Sequence, residues 1–221
     1  MAELPDDVRD ALVAVARPRR LRSGQYLWRV GDPENGLAFV VEGLLRIGMP
    51  GSDGEEITLH VVGPGECMGE PGIYAAAADR RTDARAAGPA LVATIASASV
   101  RAALERSPEA MRAFVRRVSE IARGHARRLA LNAFHDGRGR VARLLLDLAD
   151  SHGVPHARGR RIALPLSQRT LAGLVSLRRE SVNRLLAAFE RDGALTLEGG
   201  GVTLLRPELL VAAVGTDSQT P

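Results

Sequence analysis

Over the first hundred residues, apolar positions come in short runs separated by turn residues. An amphipathic segment at residues 6–16 is followed by "SG" at 23–24, "GDPENG" at 31–36, "EG" at 42–43, "PGSDG" at 50–54 and "GPGE" at 63–66. Between them lie "QYLWRV", "LAFVV", "LLRIGM", "EEITLHVV" and, later, "LVATI", all rich in strand-forming residues. Evenly spaced short strands with Gly and Pro turns predict a small barrel or sandwich. Such a barrel is filled by side chains or holds one small ligand. From residue 98 to about 133 the punctuation disappears except at Pro108, which suits a helix start after Ser107. Met111, Val115, Val118, Ala122, His125, Leu129 and Asn132 then recur at steps of four and three. This heptad spacing predicts a helix that pairs with a copy of itself. Phe114, Ile121 and Leu131 fall off that seam and are expected to pack back on the barrel. His125 lies in the seam, where a polar residue fixes register or contacts a ligand.

Gly137 and Gly139 in "HDGRGR" interrupt the pattern as a candidate hinge, and "RVARLLLDLADSHG" resumes it as a second helix. Further on, Ser167 can cap a short helix through Leu171, Leu174 and Val175. After a break at 176–178, Val182, Leu185, Leu186 and Phe189 recur at i, i+3, i+4 and i+7. The opposite face carries Arg179, Glu180, Asn183 and Arg184, with Ser181 counted beside them. Two short helices joined by a tight turn form a helix-turn-helix. "LTLEGGGVTLL" after it reads as a hairpin wing. The charged run therefore fits a recognition helix in a DNA major groove. Arginine pairs in bidentate fashion with guanine O6 and N7, and glutamate accepts from cytosine N4. Arg169 and Arg178, just outside that face, suit phosphate contacts.

Charge placement sharpens the picture. Residues 1–96 hold 10 arginines against 14 acids, and residues 97–221 hold 20 against 12. The second half, at net +8, is the half expected to meet a polyanion. No apolar run approaches the roughly 20 residues of a membrane span, so no membrane partner and a cytoplasmic location are expected. The single cysteine, Cys67, excludes internal disulfides and cysteine-ligated clusters. No nucleophile–base–acid set, metal-ligand cluster or P-loop stands out, so no enzyme, no catalytic residues and no metal are expected.

One loop, Gly65 to Arg85, has the makings of an anion site. Gly69 and Glu70 stand at one end and Arg80, Arg81 and Thr82 at the other. Glycine lets backbone amides approach an anion, arginine offers a forked donor, and threonine adds a hydroxyl. A solvated surface loop is the alternative reading.

The chain as a whole, over roughly residues 17–206, resembles the cyclic-AMP receptor/FNR family of bacterial transcription regulators. "GDPENGLAFVVEGLLRI" resembles the family's β-roll opening, and "GE" with "RRT" resembles the ends of its phosphate-binding cassette. "NAFHDGRGRVARLLLDLA" resembles its hinge and first DNA-domain helix, and "RRESVNR" its recognition helix. The resemblance implies an α+β protein in four parts. These are a β-roll effector domain with flanking helices (1–106), a long dimerisation helix and hinge (107–136), a winged helix-turn-helix DNA-binding domain (137–214), and a flexible tail (215–221). It implies a homodimer on palindromic duplex DNA with TGTGA-like half-sites, with RNA polymerase as a further partner. Arg179, Glu180 and Arg184 would then read G, C and G edges.

On the effector side, the resemblance implies that Gly69 and Glu70 hold the ribose of a cyclic nucleotide (cyclic AMP or cyclic GMP), and Arg81 and Thr82 its phosphate. The family's base-side Thr-Ser pair, counted back from "GR" at 139–140, falls at His125 and Ala126, and the helix arginine facing the cassette falls at Ile121. Three options stay open: cyclic AMP bound differently, another nucleotide or small anion, or an effector-independent regulator. A ligand-binding module whose basic half meets a non-DNA acidic partner is the competing class.

Overall fold

The computed structural model describes residues 4–50, 56–75, 79–162, 164, 167–198 and 201–215; the side chains of Glu56, Arg128, Asn132 and Arg169 also fall outside the described set. The expected tail beyond Gly215, the turn at 51–54 and the wing glycines 199 and 200 therefore lie outside the described residues. The chain forms two compact units, Met1–His125 and Ala126–Pro221.

The first unit begins with α1 (Asp6–Ala14) and β1 (Arg17–Leu21), β2 (Tyr26–Trp28), β3 (Gly36–Glu42), β4 (Leu45–Pro50) and β5 (Glu56–Val62). It continues through β6 (Cys67–Met68), β7 (Asp83–Ala86), β8 (Ala90–Ala96) and α2 (Ser97–Arg106) into α3 (Pro108–Phe134). Two four-stranded antiparallel sheets, β1-β8-β3-β6 and β2-β7-β4-β5, make a β-roll. Leu21, Val40, Leu45, Ile47, Val62 and Val92 belong to one buried core of the roll. A second core joins Val8 and Leu12 of α1 to Leu37, Ile95, Val100 and Leu104, with Met111 and Phe114 of α3 packed against it.

One strand expectation changes, and one strand is added. "QYLWRV" shortens to Tyr26–Trp28 because the next two backbone donors leave the ladder. Arg29 N–H donates to Asp32 Oδ2 (2.7 Å) and Val30 N–H to Asp83 Oδ1 (2.7 Å). The "RPRRL" segment, exposed except for Leu21 and without apolar alternation, is a strand only because β8 pairs with all five of its residues.

The second unit holds the end of α3, then α4 (Gly137–His152), β9 (Gly153–His156) and β10 (Gly159–Ile162). α5 (Gln168–Val175), α6 (Arg179–Arg191), β11 (Leu195–Glu198), β12 (Gly201–Leu204) and α7 (Pro207–Gly215) complete it. The break before α4 falls at His135–Asp136: the Asp136 carboxylate caps α4 by accepting from Gly139 N–H at 2.7 Å. Gly137 serves packing, since a Cβ there would come within 3.2 Å of Leu177 Cδ1. Strands β9 and β10 have no sequence signature. "GVPHARGRRI" becomes a hairpin because β10 pairs with β12, completing a sheet in the order β11-β12-β10-β9.

Candidate functional site

In the second unit the Ser167 hydroxyl caps α5 through Thr170 N–H (3.1 Å). The helix ends at Ser176 with φ +53°, the single non-glycine residue at positive φ among those described. That left-handed residue sets the tight turn into α6. α6 buries Val182, Leu186 and Phe189, each at most 2% exposed. Arg178, Arg179, Glu180 and Arg184 are exposed, while Ser181 and Asn183 are half-buried. Asn183 Oδ1 is buried without a hydrogen-bond partner, so this side chain departs from the outward face expected of it. Arg169 lies in the first turn of α5, its side chain outside the described residues. Glu180 stands in the first turn of α6, where the helix dipole favours a carboxylate.

Other groups hold α6 in place. The Arg138 guanidinium lies 4.4 Å over the Phe189 ring and pairs with Asp192 at 2.8 Å. Arg140 Nη1 donates to Val175 O at 3.2 Å, tying α4 to the end of α5. Glu190 accepts from Leu197 N–H at 2.8 Å, fixing β11 to the far end of the recognition helix. These positioning residues lie in helical runs whose spacing marks only a surface arginine or glutamate, so the sequence reading passed over them.

In the β-roll, Gly69 takes φ +97°, and a Cβ there would fall 2.7 Å from Gly36 O. Only glycine fits that turn. Glu70 follows it, 3% exposed. Its Oε1 accepts from Arg117 Nε at 3.1 Å and from the Cys67 thiol at 2.9 Å. Burial, with the Glu70 carboxylate adding to it, pushes the Cys67 thiol up to about 12. At the other end of the loop the two neighbouring arginines part. Arg80 is buried, pairs with Glu34, donates to Gly36 O at 2.7 Å and lies 3.8 Å over the Trp28 ring. Arg81 is exposed and Thr82 half-buried. Burial raises the Glu34 carboxyl, with Arg80 opposing, and lowers the Arg80 guanidinium, with Glu34 opposing.

The helix α3 passes this cassette. Phe114 meets Tyr74 edge-on (5.9 Å between centroids), Arg117 meets Glu70, and His125 meets His60 of β5 (6.2 Å, tilted 48°). His125, a seam residue by its spacing, is exposed in the single chain and lies beside His60. The arginine that reaches the cassette is Arg117, one helical turn before Ile121. The resemblance implies Ile121 at that place, and the structure puts Arg117 there. The seam residues Val115 and Leu129 stay 55% and 71% exposed in the single chain. No helix is long and apolar enough to cross a membrane, and no cluster of three or more metal-ligand side chains occurs, among the described residues.

This geometry agrees with what the chain is similar to. Residues 18–107 match the cyclic nucleotide-binding domain family, and residues 139–213 the Crp-like helix-turn-helix domain family. A CRP-like cAMP-activated global transcriptional regulator of Mycobacterium tuberculosis is 30% identical over 205 residues, covering 90% of this chain and 89% of the relative. The structure of the c-di-GMP responsive global regulator CLP of Xanthomonas campestris superposes with a TM-score of 0.75 at 27% identity, over 90% of this chain and 99% of that one. FixK2 from Bradyrhizobium japonicum shares the fold, with a TM-score of 0.81 at 22% identity over 90% and 97% of the two chains. The relatives thus include regulators that answer to different cyclic nucleotides. An α+β chain whose β-roll matches the cyclic nucleotide-binding domain family and whose C-terminal unit carries a helix-turn-helix of the Crp-like kind, this protein belongs to the CRP/FNR family of transcription regulators.

Proposed function

We propose that this chain works in the cytoplasm as a homodimer joined along the 107–133 helix, reading a palindromic site through its two recognition helices. Arg179, Glu180 and Arg184 read base edges of a TGTGA-like half-site, Arg169 and Arg178 hold phosphates, and Ser181 and Asn183 support the contact. The two recognition helices of such a dimer sit about one DNA turn, roughly 34 Å, apart. RNA polymerase is the further partner this reading carries. The observation that carries the reading is the exposed Arg179–Glu180–Arg184 face on a helix whose other side buries Val182, Leu186 and Phe189.

Gly69, Glu70, Arg81, Thr82 and His125 form the effector site, and its ligand is a cyclic nucleotide held chiefly by the exposed Arg81. Cyclic AMP is expected to bind weakly, because α3 carries no adjacent Thr-Ser pair to meet its base. Losing a hydrogen-bond partner at a buried contact costs about 1–3 kcal/mol. The engagement of Glu70 by Arg117 and Cys67 favours a second reading, an effector-independent regulator of the same fold. Gel-shift and sedimentation runs with and without cyclic nucleotides test both. A monomer without DNA affinity in any condition would end the regulator reading, and DNA affinity indifferent to every nucleotide and to Arg81→Ala would leave the second.

A further inference from the structure

We propose that the β9–β10 hairpin, through Arg161, holds a DNA phosphate beside the wing turn and so extends the contact with DNA beyond the recognition helix. The proposal rests on the DNA reading above. The wing, residues 195–204, has no cation of its own, and its one charged side chain is Glu198. The hairpin beside it is the reverse: residues 153–162 hold Arg158, Arg160, Arg161 and His156, and no acid. β10 pairs with β12, so hairpin and wing share one sheet, in the order β11-β12-β10-β9. The register sets Arg161 opposite Thr203, and Thr203 opposite Thr196, so these three residues share a face. Strand alternation puts Arg160 on the other face.

The contacts separate the three arginines. Arg160 turns toward α4, where its Nη2 donates to Asp150 O at 3.5 Å near the negative end of that helix. Arg158 pairs with Glu198 of the wing. Arg161 reaches across the wing: a Cβ on Gly201 would stand 3.2 Å from its Nε and 3.3 Å from its Nη2. Arg161 is exposed, and among the described residues no acid pairs with it. Glu198 and Gly201 face each other in the register, so one hairpin arginine stands at each side of the wing turn. Glycine at a turn lets a polyanion approach the backbone closely, and a guanidinium offers the fork that fits a phosphate. Glu198 neutralises Arg158, so Arg161 is left for the phosphate. The wing is fixed to the recognition helix, since Glu190 of α6 accepts from Leu197 N–H at 2.8 Å. A duplex held by α6 therefore has the wing, with the Arg161 guanidinium on it, as a rigid neighbour.

The test is fluorescence-anisotropy titration of the full-length protein over a salt series. The probes are a duplex with two inverted TGTGA half-sites and a random-sequence duplex of the same length. One phosphate contact contributes about −0.9 to the log–log salt slope. Arg161→Ala is expected to lower the slope by about one per subunit on the DNA. Binding should weaken about eightfold per subunit at 0.1 M salt and about twofold at 0.4 M, alike on both duplexes. Arg161→Lys, which keeps the charge, should retain most of the slope, and Arg160→Ala should leave it unchanged. Glu198→Ala removes the acid and frees Arg158, so it should tighten binding to both duplexes and steepen the slope. Thermal melts check that these exposed substitutions keep the fold. A slope unchanged in Arg161→Ala overturns the proposal and leaves the hairpin to an acidic protein partner. A loss confined to the TGTGA duplex also overturns it, since that is base readout. A wild type without affinity for either duplex removes the DNA reading itself, and this proposal with it.

Discussion

Arg80→Ala should cost the β-roll far more than the loss of one surface charge. The Arg80 and Glu34 side chains are 4% and 10% exposed, so their ion pair is nearly dry. Removing the guanidinium strands the Glu34 carboxylate and also deletes the bond to Gly36 O and the contact with the Trp28 ring. Breaking such a pair from one side costs about 3–5 kcal/mol, a large part of the about 5–15 kcal/mol that holds a domain together. Replacing both partners together, as in Glu34→Leu/Arg80→Met, leaves no buried charge and should cost less than either single alanine variant. pH gives a second signature. Burial already raises the Glu34 carboxyl against the pull of Arg80, and without Arg80 it rises further. A folded pKa above the unfolded one means the folded state binds more protons, so Arg80→Ala should regain stability as pH falls toward the carboxyl range and lose it as pH rises. Trp28 is the sole tryptophan and lies under the guanidinium, so urea denaturation followed by its fluorescence reads this unit directly. A loss in Arg80→Ala below about 1 kcal/mol, or equal losses in the single and double variants, would refute the reasoning.

Three further outcomes are expected. Glu180→Ala should lose about 1–3 kcal/mol of discrimination at one half-site position in selection from a randomised site library, whereas Arg178→Ala should weaken all sequences alike and lower the salt slope by about one. Phe189→Ala empties a side chain 1% exposed beneath the recognition helix and should destabilise the second unit by about 3–5 kcal/mol in thermal melts, with DNA binding lost in proportion. The Cys67 thiol, ordinarily near 9.0 and here raised to about 12, should resist alkylation at pH 8 until the protein unfolds. Because the unfolded thiol ionises first, stability should also decline as pH rises above about 9.

The sequence by itself determined the elements whose signal is local. Gly and Pro turns cut out the strands around "LAFVV" and "LVATI", and Ser167 with the i, i+3, i+4, i+7 spacing of Val182, Leu185, Leu186 and Phe189 marked out the helix-turn-helix. The exposed arginines and glutamate of α6 follow from the same periodicity, since burying one face of a short helix leaves the other outward. Tertiary structure decided whatever depends on a partner far along the chain. β1 and the β9–β10 hairpin exist because β8 and β12 pair with them, not because their own residues alternate. Asn183 lay on the polar side by spacing, yet packing half-buries it. At the cassette the sequence supplied Gly69, Glu70 and two adjacent arginines, but only folding sent Arg80 inward to Glu34, 46 positions earlier, and left Arg81 outside. It likewise chose Arg117 over Ile121 to meet Glu70 and set His60 beside His125. Periodicity fixes the side of a helix to within about one residue's rotation of 100°; which neighbour waits there depends on how the long helix and the roll come together.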